Sequence, residues 1–156
     1  MSTLETISET HNSTGTWTEE GGVFWHNDPG LNVREVAKAM NAVGARFITI
    51  TAYQLPKDEG FRLEYHWDLA GRLLGFVFAL PGNSVESGKV ESIYDLCEAV
   101  DWIEREVHEG FGIDFKGREY EPLLLRTGDL PGVNTRDAAA PAKSSPGLPG
   151  REEVAR

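Results

Sequence analysis

Strict alternation marks the middle of the chain. In FRLEYHWDL, Phe61, Leu63, Tyr65, Trp67 and Leu69 fall on one side of an extended backbone, with Arg62, Glu64, His66 and Asp68 on the other. A period of two is the pattern of a strand with one buried face. Ala70, Gly71 and Arg72 turn the chain into LLGFVFAL, residues 73–80, which is apolar on both faces as an interior strand requires. Upstream, RFITITAY (46–53) is rich in β-branched residues and ends at the turn-forming LPKDEG, which predicts a further strand. A short strand is predicted over Val23, Phe24 and Trp25, ahead of the turn residues Asn27, Asp28, Pro29 and Gly30.

Two segments carry the helical period instead. In NVREVAKAMNAVG, Asn32 is placed to cap, Glu35 follows three residues on, Val33, Val36, Ala37 and Met40 make one face, and Gly44 ends the run. After the connector PGNSVESGKVE, Ser92 is placed to cap a second helix with Asp95 at the capping-box position. Ile93, Leu96, Cys97, Val100, Ile103 and Val107 form its buried stripe, and Gly110 its predicted end. Ile113 to Phe115 reads as a short extended piece. The order β-α-β-β-β-α predicts an α+β fold, a two-layer domain with a mixed sheet and helices on one face.

Composition sets the ends. Residues 1–20 are dominated by Ser, Thr and Glu, with Trp17 their only aromatic, and read as an acidic tail that buries too little to order itself. Residues 127–156 lack aromatics and hold half of the eight prolines, so they are expected to be a disordered Pro/Gly-rich tail. The domain is expected over 21–126.

The formal charge is −10, from 15 basic and 25 acidic residues, which argues against nucleic acid as a partner because phosphate binding depends on basic surface. The longest apolar run, Leu73 to Leu80, falls far short of the roughly 20 residues of a spanning helix, so direct membrane insertion is not expected. The N-terminus has neither the basic nor the apolar part of a secretory signal, and a cytoplasmic location is expected. Cys97 stands alone, too few for a disulfide or an iron–sulfur cluster.

Motifs for self-contained chemistry are weak. PGNSVESGKV resembles a phosphate loop, yet five residues separate Gly82 from Gly88 and Val90 stands where a hydroxyl is needed to reach Mg²⁺, so it reads as a connector. His11, His26, His66 and His108 form no HExxH pair and no zinc spacing with Cys97. Glu104 and His108 are four apart, too few ligands for a closed metal site, and an acid–base pair there would need a pocket around them. Cys97 lies on the apolar stripe and reads as a small hydrophobe. No Gly-rich dinucleotide fingerprint and no GxSxG occur. No catalytic, cofactor-binding or metal residue is therefore assigned, and no cofactor is expected.

The distinctive stretch is Glu91 to Glu121, where ten acidic residues meet only Arg105, Lys116 and Arg118, a net of −7. Trp102, Phe111, Ile113 and Phe115 are interleaved with those charges around a Gly-punctuated helix exit, a composition suited to a protein-docking edge.

AVDWIEREVHEGFGIDFKG resembles the signature of the 30 kDa subunit of proton-pumping NADH:quinone oxidoreductase (complex I) and its counterparts in membrane-bound [NiFe] hydrogenases. In that family a Trp-containing helix with E-R-E-x-x-D runs into F-G-I and an aromatic-x-Gly. The matching residues are Trp102, Glu104, Arg105, Glu106, Phe111, Gly112, Ile113, Phe115 and Gly117, with Glu109 in place of the aspartate. The resemblance extends over roughly 23–126. It departs after Gly117, where the family continues His-Pro and this chain continues Arg118-Glu119, as a divergent member would.

The resemblance implies a scaffold subunit without a redox centre, peripheral on the inner face of the membrane through its complex. Its partners would be the large subunit that frames the quinone or nickel–iron site and the small iron–sulfur subunit. In that reading the ten residues just named face the partner: Glu104 and Glu106 meet its basic groups, Arg105 pairs across the interface or within the domain, and Phe111 and Phe115 enter a groove. Trp102→Ala is expected to destabilise the domain and Arg105→Glu to impair docking alone. The alternative is a free-standing protein-binding module or assembly factor that kept the fold outside a complex.

Overall fold

A computed structural model of the chain describes residues 3–10, 14–56, 59–80, 89–126 and 128–136. The alternating segment is β4 (Phe61–Leu69), paired antiparallel with β5 (Arg72–Leu80) on one side and β3 (Arg46–Gln54) on the other. β2 (Val23–Asn27) runs parallel beside β5, and β1 (Thr16–Glu20) closes the edge antiparallel to β2. The sheet order is β1-β2-β5-β4-β3, mixed as expected. Alternation decides the faces. Phe61, Leu63, Tyr65 and Trp67 point into the core with Leu74, Phe76 and Phe78 of β5, while Arg62, Glu64 and His66 lie opposite and half-buried.

The core is knit by rings. Trp67 stands edge-on to Phe76 at 5.5 Å and to Phe47 at 5.7 Å, with Tyr65 stacked beside it at 5.9 Å. Such pairs add about 0.5–1.5 kcal/mol each beyond the area they bury. Helix α2 (Val33–Ala42) contributes Val33, Val36, Ala37 and Met40 to this core. Its start is as the sequence indicates: Asn32 Oδ1 accepts from the amides of Arg34 (2.9 Å) and Glu35 (3.2 Å). On the opposite face of the sheet Trp25 lies across Gly75, where a Cβ would come within 2.5 Å of its ring, and the ring meets His66 edge-on at 5.3 Å.

Structure also extends into both stretches read as tails. Thr3–Thr10 form helix α1, with Ile7 fully buried, and the Trp17 indole N–H of β1 donates to the Leu4 carbonyl at 3.0 Å. These few apolar groups are buried by neighbours already in place, which composition alone does not reveal. At the other end, Asn134 N–H donates to the Gly110 carbonyl (2.7 Å) and Arg136 N–H to the Gln54 side chain (2.8 Å), so residues 128–136 wrap back onto the domain. Residues 1, 2, 11–13, 127 and 137–156 of the expected tails lie outside the described residues, as do Lys57 and Asp58 of the turn.

The second helix begins later than its sequence indicates. The Ser92 hydroxyl donates to the Glu104 carboxylate (2.7 Å) and accepts from the Tyr94 amide (3.1 Å), which folds 92–97 into turns rather than a first helical turn. Asp95 pairs with Arg34 of α2 at 2.7 Å instead of closing a capping box. A 3₁₀ turn, Glu98–Val100, leads into α3 (Asp101–Phe111). Gly110 stays helical, and the helix ends at Gly112, left-handed at φ 69°, whose N–H donates to the His108 carbonyl at 2.8 Å. Before and after lie β6 (Lys89–Glu91), within the stretch read as connector, and β7 (Asp114–Lys116), paired parallel to each other. The phosphate-loop-like stretch before Lys89, with Gly82 and Gly88, lies outside the described residues. Among the described residues no helix is long and apolar enough to cross a membrane.

Candidate functional site

The acidic corner divides into an inner and an outer half. On the inner half, Glu104 is fully buried, and its carboxylate accepts from the Ser92 hydroxyl (2.7 Å), the Ile93 amide (3.0 Å) and the Arg118 guanidinium (2.9 Å). Arg118 also forms a short ion pair with Asp101 and lies over the rings of Tyr94 (5.1 Å) and Tyr120 (5.5 Å). Burial alone would push the Asp101 carboxyl up, but Arg118 and then Arg105 hold it below its usual range. Burial likewise works against the Arg118 charge, yet Glu104 and Asp101 keep that guanidinium more firmly protonated than usual. Glu104 is thus committed inside the domain, which corrects the expectation that it meets a partner's basic group.

Glu109 is spent in the same way one turn on. Its carboxylate accepts from the amides of Leu123 (2.6 Å), Leu124 (2.7 Å) and Leu125 (3.0 Å). Burial raises its pKa, and those three N–H groups, aided by Arg105, bring it below the ordinary value. The Arg105 guanidinium donates to the carbonyls of Glu121 (3.0 Å) and Pro122 (2.9 Å) and reaches Asp101 at 3.4 Å. Arg105 is therefore internal, fastening the segment after β7, and Arg105→Glu is now expected to loosen the fold rather than docking alone. Between α3 and this segment runs an open cleft lined by Arg105, His108, Tyr120, Pro122 and Leu125.

The ring-bearing residues also part company. Ile113 and Phe115 are buried in the core, so Phe115 cannot enter a partner's groove without unfolding β7; its amide is taken by the Tyr120 hydroxyl. Phe111 is half-buried and packs edge-on to Phe61 at 6.2 Å. Gly112 and Gly117 hold left-handed turns at φ 69° and 90°. Outside remain Trp102, 69% exposed, and Glu106, one turn apart on the same side of α3. The exposed Trp102 corrects the expectation that its ring supports the core.

The remaining candidates are scattered. His108 stacks on Tyr120 with ring centroids 3.8 Å apart, and its Nδ1 lies 3.1 Å from the Ile113 carbonyl and 3.4 Å from Asp114, so it and Glu104 have separate partners. His26 sits among Trp17 and Phe76 on the inner face, and burial lowers its pKa. His66 is across the sheet against Trp25, also lowered by burial. Cys97 is a half-buried free thiol. Among the described residues no three metal-ligating side chains converge.

Sequence reasoning passed over Arg118, Asp101 and Ser92 as a unit. Its signal was present in the Gly117-Arg118-Glu119 departure: a cation placed after the helix exit is the counter-ion that lets Glu104 be buried.

A five-stranded mixed sheet packed with helices, with a charged helix exit strapped by the following chain, defines the class of this protein as an α+β domain. The model of the respiratory-chain NADH dehydrogenase 30 Kd subunit family matches residues 30–143, and the chain belongs to that family. Among solved structures, a chain in the membrane-bound sulfane sulfur reductase (MBS), an archaeal respiratory membrane complex, is 22% identical with a TM-score of 0.65, over 74% of this chain and 69% of that one. The trypsin-resistant fragment (1–134) of Nqo5 is 20% identical with a TM-score of 0.58, over 76% of this chain and 98% of that one. At these identities the two likenesses establish the fold. No curated protein matches the chain.

Proposed function

We propose that this chain is a non-catalytic scaffold subunit of a membrane-associated electron-transfer oxidoreductase, of the NADH:quinone oxidoreductase or group 4 hydrogenase kind. It docks on the large subunit near the quinone or nickel–iron site, shares the complex with the small iron–sulfur subunit, and lies peripheral on the cytoplasmic face of the membrane. The supporting observation is the family match over residues 30–143, which takes in α2, the sheet strands β3, β4 and β5, the whole acidic corner and the wrap-around segment. The similar solved chains, one from a respiratory membrane complex by its name, support the same reading.

The chemistry fits a packing role. The charged side chains at the helix exit that face inward hold the domain's own segments in register, as buried ion pairs do elsewhere. Co-expression of the full chain with the large and small subunits tests the reading. The expected result is a stoichiometric complex that survives gel filtration. A chain that remains alone at low salt rejects it, and one released once the large subunit matures supports an assembly factor instead.

A further inference from the structure

We infer that the outward face of α3 is the docking anchor, with Trp102 entering an apolar socket on a basic protein surface whose arginine or lysine side chains meet Glu98 and Glu106. This rests on the subunit reading above and specifies the partner's chemistry. Trp102 leaves 69% of its surface exposed on a helix that otherwise packs Glu104, Val107 and Glu109 inward. A large exposed ring is the residue type that most often carries binding energy when a partner covers it. Tyr94, 43% exposed, adjoins the same end of the helix through Arg118, which touches both its ring and Asp101.

Charge selects the occupant. Glu98 in the turn before α3 and Glu106 one turn beyond Trp102 are both exposed, whereas the nearby cations Arg105 and Arg118 are turned inward onto Asp101, Glu104 and backbone carbonyls. The field leaving this face is therefore acidic, complementary to a basic surface. A second copy would set the same acids against each other in a two-fold contact, and an anionic bilayer would repel them.

The test titrates the full chain against the co-produced large and small subunits by calorimetry. Trp102→Ala is expected to weaken binding by about tenfold or more. Glu98→Lys with Glu106→Lys is expected to weaken it comparably and to flatten its salt dependence. Both variants keep the wild-type melting temperature. Wild-type binding with Trp102→Ala within about twofold of it overturns this assignment and leaves the subunit reading standing, whereas no wild-type binding overturns both. A Trp102-dependent self-dimer in sedimentation, or Trp102-dependent binding to phosphatidylglycerol vesicles, also overturns it.

Discussion

Trp67 and Glu104 are both removed from water, and they are kept there by different means. Trp67 is surrounded by Phe47, Tyr65 and Phe76, contacts without direction that another apolar group of similar volume would largely reproduce. Glu104 is held by a hydroxyl, an amide and a guanidinium at 2.7–3.0 Å, contacts that no other side chain satisfies together. The ring cluster around Trp67 is therefore tolerant of shape-conserving change and free of charge. The α3 corner is neither, because each of its buried carboxylates is matched to donors arriving from other parts of the chain.

The sharpest break is Glu104→Ala, which leaves Arg118 without its buried partner and is expected to cost about 3–5 kcal/mol, read from the denaturant midpoint. Next comes Glu109→Ala, expected at about 1.5–3 kcal/mol near neutral pH because three amides lose a charged acceptor. This variant also carries a pH signature. Glu109 and Asp101 are held below their ordinary pKa in the folded chain, so the unfolded chain takes up protons first as pH falls. Their stabilisation is complete above the unfolded value of about 4 and is lost as pH drops through the folded values. Melting curves across that acid range should show the wild type falling towards Glu109→Ala; a constant gap between them would contradict the assignment.

On the sheet side, Gly75→Ala is expected to cost about 1–3 kcal/mol by driving the Trp25 ring off the strand, with altered near-UV dichroism as its mark. The smallest effect belongs to Trp102→Ala, whose melting temperature should reflect a change within about 0.5 kcal/mol, since the ring supports nothing inside the domain.

Strand β4 and helix α2 were legible because their burial follows one period over nine or ten residues, with Asn32 and Gly44 marking the ends of α2, whereas β5 was legible from its continuous apolar run and β3 from its β-branched residues. The start of the second helix was not, because Ser92 answers to Glu104, twelve residues away, rather than to its own first turn. Nor did spacing separate Glu104 and Glu109 from Glu106: all three are acids on one helix, and what sinks two of them is Arg118 and the amides of Leu123 to Leu125, supplied after the helix has ended. Trp102 lies off the predicted stripe of Val100, Ile103 and Val107 and is exposed, so the expectation that its loss destabilises the domain did not follow from its own spacing. The family signature brought the right corner into view without saying which way each side chain turns.

The parallel seam in the sheet has a bearing on how the polypeptide matures. Val23 on β2 finds its neighbour at Leu73 on β5, so the β1-β2 hairpin has no sheet to join until the last strand of the meander has been made. The β3-β4-β5 meander can zip through nearby contacts, while the leading hairpin must be recruited across a long loop, the slower kind of closure. During synthesis the growing chain therefore carries Phe24 and Trp25 in waiting, and delivery of β5, with Gly75 beneath the Trp25 ring, is what covers one side of them.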